Sequence, residues 1–204
     1  MPEANNYLNG ATKRIVDLVL GLFLGLATIP FLALALVLSA ISFRAWPVFS
    51  QLRLGKDGQT FNFYKVRSLP KRTVVTANKY EVAEIKNTRV GTFLRKSHFD
   101  DLPQLWMAVT GTMSLVGPRP ELPNIAAGFD ADFIDRRTRT RPGVTGAWQL
   151  STATLALIGE SPEFDDFYLT NASLRFDLWL LWQTVGQQLG AKQFTMGALR
   201  KFTL

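Results

Sequence analysis

The stretch LVLGLFLGLATIPFLALALVLSAISF, Leu18–Phe43, runs for 26 residues without a charge, between Asp17 and Arg44. As one straight helix it would be about 39 Å long, enough to cross a hydrocarbon layer of about 30 Å. Pro30 stands near its middle, where the ring removes a backbone donor and crowds the carbonyl of Leu26. Divided there, the halves are about 18 Å and 20 Å long at helical rise, and neither spans alone. Both flanks are basic: Lys13 and Arg14 before the stretch, then Arg44, Arg53 and Lys56 after it. Cationic residues collect on the cytoplasmic side of membrane segments. A bent hairpin that enters and leaves by one face therefore satisfies length, proline and charge together. A kinked single-span anchor is the alternative, since membrane helices tolerate proline.

Working outward, the chain of 204 residues is the size of about one domain. A formal charge of +7 suits an anionic partner: phospholipid headgroups, a phosphorylated substrate or nucleic acid. The absence of cysteine excludes disulfides and thiolate chemistry, and the single histidine, His98, excludes a multi-histidine metal site. The apolar run is longer than the core of a cleaved secretory signal, about 7–15 residues, so no leader is expected. Residues 1–12 read as a short polar arm, with Thr12 able to cap a helix that starts near Lys13.

Beyond Phe43, Pro47–Leu52 and Thr60–Val66 read as strands around Gly55-Lys56-Asp57-Gly58, whose Asp-Gly pair is a turn signal. This β-hairpin delivers Lys65 and Arg67 at its exit, where a solvated strand end is the plainer reading. Residues 68–79 read as a loop, and a helical pattern follows around Val90, Phe93 and Leu94. Leu102, Leu105, Trp106 and Val109 then share one helical face. Pro103 is compatible only with a first turn, so Asp100 and Asp101 sit at or just before a helix N-terminus. An aspartate there is usually a cap favoured by the helix dipole. Two in succession leave one to face a ligand, or let the pair hold Mg²⁺ together with phosphate and water.

Arg119, between Pro118 and Pro120, is presented on stiff extended backbone, which suits a bidentate phosphate contact as well as a solvent-facing loop. Arg136, Arg137, Arg139 and Arg141 form a cationic patch before Pro142-Gly143, either solvated or gripping phosphate. Near the C-terminus, Leu178, Leu181, Trp182, Val185 and Leu189 make an apolar helical stripe with Trp179 beside it. It suits a membrane interface or packing on a soluble core.

The block Leu94-Arg95-Lys96-Ser97-His98-Phe99-Asp100-Asp101-Leu102-Pro103-Gln104, running into Ser114-Leu115-Val116-Gly117-Pro118-Arg119-Pro120, is similar to the bacterial sugar transferases, the monotopic phosphoglycosyl transferases. Three further pieces match in order: Pro47-Val48-Phe49 through Lys65-Val66-Arg67-Ser68, Arg141-Pro142-Gly143-Val144-Thr145-Gly146, and Ser173-Leu174 with Asp177. The likeness runs from about Lys13 to about Thr184. It implies a helix-rich α+β fold: a re-entrant membrane anchor over residues 1–44 broken at Pro30, and one cytoplasmic-face catalytic domain over 45–204 with a small β-hairpin and amphipathic interfacial helices. Ile29 stands where the family's serine is common, with Thr28 a nearby hydroxyl. The length suggests the family's small form.

The resemblance also implies the chemistry. A sugar-1-phosphate passes from a UDP-sugar to a polyprenol phosphate at the bacterial inner membrane, with release of UMP. Asp100 matches the nucleophile of an Asp-Glu dyad, and Asp101, one methylene shorter, replaces the glutamate. Mg²⁺ is the implied cofactor, on Asp100 and Asp101. Arg95, Arg119 and Arg141 are the first candidates to grip phosphate oxygens, Lys65 and Arg67 the second. The expected partners are the UDP-sugar, the polyprenol phosphate and membrane lipids, with no nucleic acid and a homo-oligomer left open. His98 lies where small residues are usual, and a surface or packing role is expected of it. Two rivals stand beside this: a membrane-tethered nucleic-acid binder built on Arg136–Arg141, and a non-catalytic scaffold of a glycan-assembly complex that keeps the fold.

Overall fold

The computed structural model describes residues 5–71, 73 and 85–203; residues 72 and 74–79 of the expected loop lie outside them. Helices α1 (Ala11–Ala27) and α2 (Ile29–Phe43) meet at Thr28 with a bend of 59°. The proline and its neighbour account for the break. Pro30 cannot donate to Leu26, and Thr28 turns its backbone N–H and its hydroxyl back onto the carbonyl of Leu24, at 3.0 and 2.8 Å. Among the described residues no single helix is long and apolar enough to cross a membrane; α1 and α2 meet that measure only as a bent pair.

The faces of these helices are inverted relative to a water-soluble protein. The buried residues of α1 are Lys13, Asp17, Gly21 and Gly25, one every turn. Ile15, Val19, Phe23 and Leu26 point out, as do Phe31, Leu34, Val37 and Ile41 of α2. The inner stripe is used fully. Asp17 accepts from the Ser114 hydroxyl and the Leu115 N–H, at 3.0 and 2.9 Å. A methyl group placed on Gly21 or Gly25 would come within 3.2–3.3 Å of Val109 and Trp106. Small residues bring α1 flush against α4 (Pro103–Thr110).

Several expectations for this end of the chain change. Gly10, not Thr12, precedes α1 as its N-cap. Residues 5–10 are no free arm: the Asn5 amide donates to Ala172 O at 2.8 Å, and Leu8 is buried in the main core. Of the flanking cations, Lys13 is buried against Asp177 and Arg53 pairs with Glu121. Arg14 donates to the carbonyls of Ala108 and Val109 at 2.7 and 2.6 Å. Only Arg44 and Lys56 are left to act as a charge flank, because the others answer polar groups inside the protein.

Strands β1 (Val48–Leu54) and β2 (Thr60–Val66) pair antiparallel, Val48 opposite Val66 and Leu54 opposite Thr60. Asp57 and Gly58 take positive φ in the turn, the conformation an Asp-Gly pair accepts. Helix α3 (Arg89–Lys96) is capped by Thr88, whose hydroxyl accepts from the Gly91 N–H at 3.0 Å. A single 3₁₀ turn, Phe99–Asp101, connects it to α4.

Strand β3 (Ser114–Val116) pairs in parallel with β4 (Gly143–Thr145). Their crossing is backbone on backbone. A Cβ on Gly143 would lie 2.1 Å from Gly117 N, and one on Gly146 would lie 2.1 Å from Gly117 O. This contact holds the Arg119 loop against the Pro142-Gly143 turn. Gly143→Ala should therefore destabilise by about 3 kcal/mol or more, the upper range of overpacking, because neither clashing atom is a flexible side chain. Denaturant unfolding in detergent checks it; a loss below about 1 kcal/mol would mean the crossing is loose.

Helices α5 (Pro123–Ala126), α6 (Ala131–Thr138), α7 (Glu163–Asn171), α8 (Leu174–Gln188) and α9 (Met196–Thr203) complete the described fold. Phe133, Phe164, Tyr168, Phe176 and Leu180 form the main core with Leu115 and Val116 of β3. Helix α8 packs through Phe176 and Leu180. The stripe read from the sequence is therefore largely its outer face: Leu178, Val185 and Leu189 are exposed, Trp182 by 71%.

Candidate active site

The chain enters the site from two directions. The β2 exit brings Lys65, Arg67 and Ser68; the α3–α4 connection brings Arg95, Asp100 and Asp101. Asp100 is only 4% exposed, and its Oδ2 accepts from the Ser68 hydroxyl at 2.8 Å. Asp101 Oδ1 takes the Lys65 ammonium and the Gln104 amide, each at 2.5 Å. Neither aspartate caps α4, so the capping expectation gives way to these contacts. His98, at a positive φ of 56°, leaves its ring more than half exposed with Nδ1 3.7 Å from Asp101 Oδ2.

These surroundings drive the two carboxyls apart. Burial, then the neighbouring Asp101 charge, raises the pKa of Asp100 above its ordinary value, against the pull of Lys65, Ser68 and Arg95. Burial acts the same way on Asp101, but Lys65, His98 and Arg119 overcome it and hold that carboxyl well below the usual range. Asp101 is thus a fixed, neutralised anion, while Asp100 is the poorly solvated one.

Beside them opens a cavity of about 340 Å³ whose walls include Lys65, Arg67, Ser68, Arg95 and Arg119. Asp100 and Asp101 are not wall residues; Asp100 lies behind Ser68, which is. Arg67 is steadied by donating to Trp46 O at 2.9 Å and by lying over the Phe49 ring. The guanidinium groups of Arg95 and Arg119 have no hydrogen bond or ion pair with any described residue. Arg53, not foreseen as a site residue, shares the wall. It donates to Gln51 and Glu121, and burial, with Arg119 nearby, pushes its pKa down to about 10 despite Glu121. Its presence behind Arg119 leaves the cavity's positive charge in excess. The lining also has an apolar part, with Leu122, Ile125, Trp148 and Ile158.

Arg141 is placed elsewhere. Its Nε donates to Gly111 O at 2.8 Å, so with Arg14 it answers the open carbonyl end of α4. The rest of the arginine cluster is neutralised: Arg136 by Asp166, Arg139 by Asp135, and the buried Arg137 by Asp165 at 3.0 Å. Arg137 also donates to Arg119 O at 2.7 Å, which fixes the backbone of the loop that carries Arg119. The cluster thus offers no row of free charge for nucleic acid.

A buried carboxylate just before a helix, backed by a neutralised partner and screened by Ser68 from a cavity with two unpaired guanidinium groups, is an arrangement suited to phosphoryl chemistry on an anionic substrate. The chain belongs to the bacterial sugar transferase family, whose model matches residues 8–191. It is 34% identical over 194 residues to the UDP-galactose-lipid carrier transferase of Erwinia amylovora, covering 85% of this chain and 39% of that protein. It is 31% identical over 196 residues to the exopolysaccharide production protein ExoY of Sinorhizobium fredii, covering 87% and 85%. Against the UDP-glucose:undecaprenyl-phosphate glucose-1-phosphate transferase of Escherichia coli the identity is 31% over 193 residues, covering 87% and 40%. The chain thus spans about two fifths of the Erwinia and Escherichia proteins and most of ExoY.

Proposed function

We propose that this chain is a membrane-anchored phosphoglycosyl transferase that moves a sugar-1-phosphate from a UDP-sugar to a polyprenol phosphate, undecaprenyl phosphate in a bacterial membrane. The observation that carries this reading is the Asp100–Asp101 pair held directly behind two wall residues, Ser68 and Lys65, of a cavity in which Arg95 and Arg119 lack partners among the described residues. Family membership and the printed activities of the relatives support it.

The residues divide the work. Arg95 and Arg119, with Lys65 and Arg67 beside them, take the diphosphate. Ser68 releases Asp100 by turning its hydroxyl toward a substrate phosphate. An Asp100 carboxylate oxygen then bonds to the β-phosphorus, the bond from that phosphorus to the bridging oxygen breaks, and UMP leaves with the electron pair. A phosphate oxygen of the polyprenol phosphate next bonds to the same phosphorus and displaces Asp100, giving a polyprenyl diphosphate sugar. Two displacements replace one difficult step. Poor solvation of Asp100 keeps its carboxylate reactive.

Mg²⁺ fits this donor set. It takes one or two carboxylates and completes its shell with water and substrate phosphate, and the described residues hold no cluster of three or more metal-binding side chains that would make a closed protein cage. Asp100 and Asp101 would hold it. Bound there, it supplies positive charge against the repulsion between carboxylates and diphosphate.

The inverted faces of α1 and α2 support the anchor: polar and small residues inward, uncharged apolar residues outward, which is the pattern a lipid solvent favours. The bend at Thr28–Pro30 lets the pair enter and leave the cytoplasmic leaflet of the inner membrane. The relatives are named for different sugars, so the deciding assay is a panel of UDP-sugars presented to membrane fractions, scored by UMP. One donor is expected to give UMP that depends on the polyprenol phosphate. No release from any of them would leave the scaffold reading instead.

A further inference from the structure

The catalytic turn has two unlike sides. One adjoins the cationic cavity. On the other, Phe99, the residue before Asp100, contacts Phe31 of α2 and Phe93 of α3, with ring centroids 5.6 and 5.8 Å apart. Phe99 is seated in a small cluster with Ala35, Val66 and Leu94. Phe31 and Phe93, by contrast, are 48% and 49% exposed. Two segments far apart in sequence, α2 and the run from α3 into the turn, thus gather three aromatic rings at the turn that carries the carboxylates, and leave two of them half open. Single exposed apolar residues need no explanation, but a gathered patch beside a polar site does.

The chemistry on either side says what the patch fits. Its apolar surface continues onto the outer face of α2 through Leu34 and Val37. Its other border is the Asp100 turn itself, whose hydrogen-bond partner Ser68 shares the cavity wall with Arg95. A ligand spanning both borders has a hydrocarbon tail and an anionic head. A UDP-sugar has no tail; a bilayer phospholipid has one, but its phosphate is already esterified on two sides. We propose that Phe31, Phe93 and Phe99 form the docking surface for the first isoprene units of a prenyl phosphate acceptor and align its phosphate with Asp100. The flat rings meet the methyl-branched alkene chain face and edge on, while the phosphate turns toward Arg95. The three residues position the acceptor and touch none of the reacting atoms. This rests on the transferase reading given above.

The test separates acceptor from donor. Phe31→Ala and Phe93→Ala are made in the full chain and assayed in detergent micelles at fixed detergent, so that anchoring in a bilayer plays no part. Each is expected to raise the KM for undecaprenyl phosphate at least about tenfold, with the KM for the UDP-sugar unchanged. Phe93→Leu should recover most of the loss. An unchanged acceptor KM overturns the proposal, as does an equal loss toward both substrates, which would indicate a loosened turn. If the variants leave the acceptor KM alone but sediment less with lipid vesicles, the patch is an anchor only. A prenyl phosphate carrying a photoactivatable diazirine gives a readout independent of turnover. Labelling of the peptides containing Phe31 or Phe93, competed by undecaprenyl phosphate, supports the docking surface; labelling confined to other segments overturns it. Wild-type protein that makes no UMP from any UDP-sugar, yet labels at these peptides, would refute the transferase reading and leave the lipid site standing.

Discussion

Asp100→Asn should lower sugar-phosphate transfer by about 10⁴-fold or more while leaving the protein folded, the scale seen when a covalent nucleophile is removed. The amide keeps the size of the side chain and an oxygen that can accept from Ser68, but has no electron pair suited to displacing UMP. The same substitution has a distinct stability signature. The carboxyl of Asp100 has its pKa raised by burial and by Asp101, so the folded state holds that proton more tightly than the unfolded chain does. Stability from this group is therefore gained as pH falls through the raised value and lost as pH rises. The asparagine variant, neutral throughout, should unfold at an equal or higher temperature than the wild type at pH 8, with the gap closing toward pH 4. Acid-quenched wild-type enzyme given labelled UDP-sugar should carry sugar-phosphate on the protein, and the variant should not. Retained transfer by the variant would remove Asp100 as nucleophile.

Some of this was legible because it is local. The β-hairpin follows from strand alternation around an Asp-Gly turn, and the break in the apolar stretch follows from one proline. The α3–α4 junction follows from Pro103, which permits only a first turn. What was missed depends on contacts between distant segments. That Arg141 stands outside the cavity walls with its Nε on Gly111 O was not legible, because nothing local shows that Gly143 lies on Gly117. Arg53 looked like a flanking charge for the same reason, since Glu121 is 68 residues away. The apolar stripe of α8 posed a different difficulty. Where a helix is apolar on both faces, periodicity no longer separates inside from outside, and Leu178 and Trp182 proved outward while Phe176 and Leu180 proved inward. The inner stripe of α1 shows the same inversion: Lys13, read as part of a basic flank, is an interior group.

Lys13→Met should be the most costly substitution away from the site, by about 3–5 kcal/mol, the range for breaking a buried ion pair. Lys13 Nζ lies 2.6 Å from Asp177 Oδ2, and each side chain is 3% exposed. The Tyr7 and Tyr168 hydroxyls donate to the same carboxylate, both at 2.8 Å. Removing the ammonium leaves Asp177 buried with two phenol donors and no cation. Burial already raises the pKa of Asp177, against the pull of Lys13, so without Lys13 it rises further and the carboxyl is met by a proton at higher pH. A protonated Asp177 needs no cation. The destabilisation should therefore be largest at pH 8 and shrink as pH falls through the folded-state pKa of Asp177, which urea unfolding in detergent at several pH values would show. A second substitution, Asp177→Leu in the Lys13→Met background, should recover part of the loss, because the cost lies in the unpaired charge and not in the missing pair. The pair matters beyond stability because of where it sits. Lys13 and Asp17 are one turn apart on α1; one is fastened to α8, the other to β3. Arg14, between them in sequence, holds the carbonyl end of α4, the helix that follows the Asp100 turn. The first turns of α1 thus fix the position of the Asp100 turn relative to the apolar face of α1 and α2. A cost below about 1 kcal/mol at pH 8 would mean that water reaches the pair and that α1 is not fastened there.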